Sequence, residues 1–140
     1  MDPRRWAPSP NARLLLECAA LLGYRFEAGI LAACCALDPI GAAAILTEAC
    51  LCGLLVCESA RERRYRFRHA LYRSAIREAL EPAHSRALHA RIAATLECQR
   101  ESPAGAETLA YHWGCAGDER RARLYRKRAA SEARRLGSSG

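Results

Sequence analysis

Thiols and imidazoles are the side chains here with the most chemistry to offer, and their spacing decides what that chemistry can be. Eight cysteines stand in 140 residues, at Cys18, Cys34, Cys35, Cys50, Cys52, Cys57, Cys98 and Cys115. None is in the CxxC spacing of common zinc and redox loops: Cys34 and Cys35 are adjacent, and Cys50 and Cys52 form CxC. Most lie among Ala, Leu and Ile, where a free thiol behaves as a small core hydrophobe; exposed redox-active thiols and a metal site are the competing readings. The histidines are His69, His84, His89 and His112. His69 sits where a strand gives way to a helix, which suits a structural hydrogen bond. His84 and His89 are five residues apart, a poor spacing for sharing one helical face. His112 and Cys115, three apart, could meet, but two ligands are too few for a closed zinc site. Glu78 and Glu81 read as surface carboxylates at a helix end. No Ser-His-acid set follows from residue order alone, and without a GxxxxGK[ST] loop the chain is not expected to hydrolyse ATP. No catalytic, cofactor or metal residue is therefore assigned.

Arginine is the other chemical resource. Met1 to Cys57 holds four Arg against five acidic residues, net −1, while Glu58 to Gly140 holds eighteen Lys or Arg against ten acidic residues, net +8. The candidate contacts with an acidic protein or with phosphate are Arg61, Arg63, Arg64, Arg66 and Arg68 in one cluster and Arg120, Arg123 and Lys127 in another. A basic surface attracts nucleic acid, acidic protein or membrane without specifying which. A cytoplasmic protein without a membrane span is the expectation, since no apolar run approaches about 20 residues and MDPRRWAPSP lacks a signal peptide's apolar core.

The elements that must position these residues follow from periodicity. Leu and Ala supply most of the hydrophobic residues and aromatics are few, which favours helices. Met1 to Pro10 reads as a flexible lead. NARLLLECAALL, after Ser9 and Pro10, is a first helix stopped by Gly23, and Tyr24 to Leu37 a second, with Phe26 plugging the gap between helices. Asp38 and Pro39 start a third. After Gly53, LLV at Leu54 to Val56 and YRF at Tyr65 to Phe67 read as two strands joined by the polar turn ESARERR, Glu58 to Arg64. His69 to Leu80 is helical, with Leu71, Ala75, Ile76 and Leu80 inward. PAHSRALHARIAATLECQR, AETLAYHWGCAG, ending near Gly114 to Gly117, and DERRARLYRKRAASEARRLG, with Asp118 as N-cap, supply three more helices, the last two an antiparallel hairpin. The expected class is mainly α: a winged-helix-like domain of three helices and a two-stranded hairpin at 11–68, a linker helix pair at 69–101, a TPR-like helical hairpin at 102–136 and a flexible tail at 137–140.

The runs LLLECAALLGYRFEAGILAACCALD, ILTEACLCGLLV, YRFRHALYRSAIREAL, RALHARIAATLE and AYHWGCAGDERRARLYRKRAASEA carry a resemblance that spans Asn11 to Leu136. They resemble the segment that follows the nucleotide-binding domain in STAND signalling ATPases, including MalT-like and LuxR-type regulators and ATPase-linked adenylate cyclases. The most specific stretch is Phe67, Arg68 and His69 followed by Ala70, Leu71 and Tyr72; Ala110, Trp113, Gly117, Ala122 and Tyr125 match repeat helices more loosely. The resemblance implies a winged-helix-like regulatory arm and the first TPR-like repeats, serving signal transduction or transcription regulation. Phe67, His69, Leu71, Tyr72, Trp113 and Tyr125 are then fold-preserving residues, with Leu71 in the core.

Two functions follow as expectations. The first is a non-catalytic protein-interaction module whose partner is an ATPase domain or another acidic surface. The second is a winged-helix DNA- or RNA-binding protein. Against the second, the expected recognition helix, Pro39 to Cys52, offers Thr47 and Glu48 but no Arg, Lys, Asn or Gln to read a groove. Two repeat-like helices alone do not bury a solenoid core, which leaves the last helix to pack back on the linker helices or against a second copy in a homodimer.

Overall fold

The computed structural model describes residues 9–99 and 105–138, and the chain divides into two compact units meeting at Glu81 and Pro82. Among the described residues are seven helices and one three-stranded antiparallel sheet. The lead expected over residues 1–10 lies outside the described residues except for Ser9 and Pro10. Ser9 caps the first helix and Pro10 begins it.

The first unit opens with α1, Pro10–Leu22, whose Ser9 Oγ accepts from the Ala12 N–H at 3.1 Å. It buries Ala12, Leu15, Leu16, Cys18 and Ala19. The expected helix from Tyr24 does not form there. Arg25–Glu27 is instead a short strand, β1, and Phe26 is one of its residues. Glu27 ends β1 by accepting the Gly29 N–H at 3.0 Å, which caps α2, Ala28–Cys35. Asp38 caps α3, Pro39–Leu51, through the Gly41 N–H at 2.9 Å, a contact worth about 1 kcal/mol. Gly53 then turns the chain at φ +82°, a left-handed conformation that favours glycine.

Next come β2, Leu55–Ser59, and β3, Arg64–Phe67, so Glu58 and Ser59 are strand residues and the turn is confined to 60–63. The sheet order is β1-β3-β2, which corrects the expected two-stranded hairpin: β3 is its centre, with Phe26 opposite Tyr65 and Leu55 opposite Phe67. Phe67 is fully buried and meets Phe26 edge-on at 5.9 Å, while Phe26 stacks on Tyr65 at 6.3 Å. Leu55 of β2 is buried too, and Leu15, Leu31, Leu46, Cys18 and Cys34 supply the helical side of this core. The last element, α4, Ala70–Ala79, is pinned to α1 by buried Ile76 and by Arg73 Nε donating to the Ala20 carbonyl at 2.8 Å. Leu71 is 79% exposed, which corrects its expected place in the core.

The second unit is a three-helix layer of α5, Pro82–Glu97, α6, Ala106–Cys115, and α7, Glu119–Ser138. Of the two helices expected as a linker pair, α4 falls in the first unit and α5 in the second. Leu88, Ile92 and Leu96 of α5 and Leu109 and Trp113 of α6 are buried, while α7 sinks only Ala122 completely. Gly117, at φ +88°, turns α6 into α7, and Asp118 Oδ1 accepts the Arg121 N–H at 3.0 Å. Glu97 ties the three helices together: its Oε1 accepts from Trp113 Nε1 at 2.7 Å and from the Tyr125 hydroxyl at 2.9 Å. The tail expected from residue 137 is helical as far as Ser138.

Candidate functional site

The arginine hairpin is organised by a carboxylate the sequence reading passed over. Between Cys57 and Ser59 the register of β2 on β3 shifts, leaving Glu58 with no opposite residue. Such a bulge re-aims a side chain. Arg25 of β1 and Arg66 of β3 face each other directly, a repulsive cross-strand pair on its own. Glu58 resolves the clash, with Oε1 2.9 Å from Arg25 Nε and Oε2 3.4 Å from Arg66 Nε. Arg66 also donates through Nη1 to the Tyr24 hydroxyl at 3.2 Å and to the Phe67 carbonyl at 3.0 Å. Its guanidinium therefore also serves the sheet. Arg64 pairs with Glu62 at 3.1 Å. Arg61, Arg63 and Arg68 are exposed, and the Arg63 carbonyl accepts the Ala28 N–H at 2.9 Å, which fastens the turn to the start of α2.

Beside the hairpin, α3 turns a face without cations to solvent. Ile40 is 82% and Leu51 83% exposed, with Ala43, Ala44, Thr47 and Glu48 exposed between them. The Thr47 hydroxyl is spent on the Ala43 carbonyl at 2.8 Å. Near the start of α3, Leu37, Pro39, Ile40, Arg63 and Tyr65 border an open recess of about 570 Å³. Burial, followed by the neighbouring Cys57, pushes the Cys50 thiol up, so it stays protonated near neutral pH. Burial and the same two thiols likewise raise the Tyr65 phenol.

On α7, Arg120, Arg123 and Lys127 are exposed and border a shallow recess of about 290 Å³ with Leu124. Arg121, Arg126 and Arg128 on this helix have partners within the unit. Arg121 lies 4.4 Å over the Trp113 ring and 3.7 Å from Asp118, Arg126 pairs with Glu119 at 3.2 Å, and Arg128 covers Tyr125 at 5.1 Å. Burial and the Glu97 hydrogen bond raise the Tyr125 phenol. Of the remaining motif residues, Trp113 is buried, while His69 precedes α4 without a side-chain cap bond and packs edge-on against Tyr72 at 5.2 Å.

One pairing joins histidines that sequence spacing kept apart. His89 of α5 and His112 of α6 are both buried, with their Nδ1 atoms 2.9 Å apart. One Nδ1 must carry the proton and the other accept it. Burial first, and His89 second, hold His112 down to about 4 from its usual 6.5, so it is neutral at pH 7. Tyr111 packs edge-on against both rings. Among the described residues, no three His, Cys, Asp or Glu side chains converge to hold a metal, and no single helix is long and apolar enough to cross a membrane. No family model, curated protein or solved structure matches the chain.

Proposed function

We propose that the chain is a non-catalytic regulatory protein-interaction module of a STAND-type signalling or transcription-regulating ATPase system. In this reading the first unit is a winged-helix-like arm and the second the start of a TPR-like helical region. The observation that carries it is the solvent face of α3. In a DNA-binding winged helix this helix supplies the groove readers and phosphate donors. Here that face is Ile40, Ala43, Ala44, Thr47, Glu48 and Leu51, with no cation or amide. An exposed apolar stripe ending in Ile40 and Leu51 suits burial against protein. In the hairpin, Arg25, Arg64 and Arg66 pair with Glu58 or Glu62, which lowers the charge available to phosphate.

The alternative, nucleic-acid binding, rests on the exposed Arg61, Arg63 and Arg68. Titrating the chain against mixed duplex DNA across a salt series separates the two. The protein-contact reading expects no binding beyond weak, sequence-independent attraction at low salt. It also expects the chain to change the ATPase rate of a MalT-like nucleotide-binding core, an effect lost in the Ile40→Glu/Leu51→Glu double variant. Tight DNA binding abolished by replacing Arg61, Arg63 and Arg68 would transfer the function to the alternative.

A further inference from the structure

We propose that the open groove between α6 and α7 seats an acidic amphipathic helix of a partner protein. This surface belongs to the second unit, and the inference stands apart from the role given to α3. The two helices are unequal: α6 has 10 residues and α7 has 20, or about 15 and 30 Å. Alongside α6 a groove of about 660 Å³ opens, floored by Ala110, Gly114, Ala129, Ala130 and Ala133, walled by half-exposed Tyr111, and with Glu107 and Arg126 also on its lining. Small floor residues let another backbone approach closely, and the ring supplies apolar area for a side chain to cover. Farther along α7, Leu136 is 76% exposed, so the helix keeps its apolar character beyond the groove.

Charge selects the occupant. Between Glu119 and Ser138, α7 carries eight Lys or Arg and two Glu, a net of +6. Lys127, Ala130 and Arg134 are spaced i, i+3 and i+7, and Arg123 lies one turn before Lys127, so a cationic row borders the groove floor. Arg123, Lys127 and Arg134 are exposed, and none has an ion-pair partner among the described residues. A second copy of the chain would bring another helix of net +6 to this edge, and the like charges would oppose it. A partner helix with an apolar seam and Glu or Asp along its flanks satisfies both the groove and the row.

The probe is a synthetic amphipathic peptide about four turns long, with Leu and Ala on one face and Glu on its flanks. A counterpart with Lys in place of Glu keeps the same apolar face. Each is titrated into the full chain and followed by anisotropy and by backbone amide shifts. The Glu peptide should bind at least about tenfold tighter than the Lys peptide and weaken with salt. Shifts should centre on Gly114, Ala130 and Ala133. Ala130→Trp should cost about tenfold or more, Ser131→Trp on the opposite face should cost little, and Arg123→Glu/Lys127→Glu should reverse the preference toward the Lys peptide. Equal affinity for both peptides, equal losses from the two Trp variants, or shifts centred elsewhere would overturn the assignment. So would groove amides that move with protein concentration alone, because the occupant would then be a second copy.

Discussion

Lowering the pH from 7 to 4 tests the buried His89–His112 pair of the second unit. His112 falls from its usual 6.5 to about 4, chiefly because burial penalises the imidazolium and secondly because His89 sits against it. The unfolded chain gains its proton near 6.5, whereas the folded chain resists until about 4. The unfolded state therefore binds more protons in this window, and stability declines as pH falls through it. The stabilisation is complete above about 6.5 and exhausted below about 4, and the difference amounts to about 3 kcal/mol. That is a large share of the stability of a small helical unit. The assay is urea unfolding of a Trp6→Phe chain at a series of pH values, with Trp113 fluorescence as the readout, because Trp6 and Trp113 are the two tryptophans. The reference is the His89→Leu/His112→Leu variant. Removing both partners of a buried hydrogen bond together is close to neutral at pH 7. Titrating groups outside the His89–His112 pair are common to both proteins and cancel in the difference. Parallel pH profiles for the two proteins, or an imidazole resonance of His112 that titrates near 6.5, would refute the reasoning.

Three further outcomes follow from the packing. Phe67→Ala should destabilise the first unit by about 3–5 kcal/mol in denaturant melts, because it leaves a cavity against Phe26 under the centre of the sheet. Leu71→Ser should change the same melts by less than about 0.5 kcal/mol, since that side chain is already in solvent. Glu58→Gln should cost less than about 1 kcal/mol in stability, because the ion pairs are partly exposed. It should nevertheless weaken protection of the β1–β3 amides in hydrogen exchange, as Arg25 and Arg66 would then face each other without a carboxylate between them.

Most helices were legible because their signals are local. Ser9 with Pro10, Asp38 with Pro39, and Asp118 each mark a start that the backbone uses. β1 was not legible, since Arg25–Glu27 is too short to show an alternation and lies within a run that reads as helix. Only its partner on β3, far along the chain, makes it a strand. Leu71 was misplaced for a related reason: helical period gives a face but not which neighbour covers it, and α4 is anchored farther along by Ile76 and Arg73. The histidine pair escaped because 23 residues separate its members, and only the packing of α5 on α6 brings them together. Arg66 was singled out for contact with an outside partner, and the structure also gives it a contact within the sheet. Its carboxylate partner, Glu58, is aimed by a strand irregularity that composition does not announce.

The central position of β3 has a consequence for the order in which the molecule assembles. Pairing of β2 with β3 closes a short loop and can form within microseconds. β1 must find β3 across roughly forty intervening residues, and a contact closed over so long a loop is slow. Until it does, Phe26 has neither aromatic neighbour, and the Arg63 carbonyl that receives the start of α2 is empty. On a ribosome, α1, β1 and α2 emerge well before β3 exists, so the first unit must wait for its own middle strand. The second unit is built from consecutive helices and has no such delay. The half of the chain synthesised later is thus expected to reach its native packing in the shorter time.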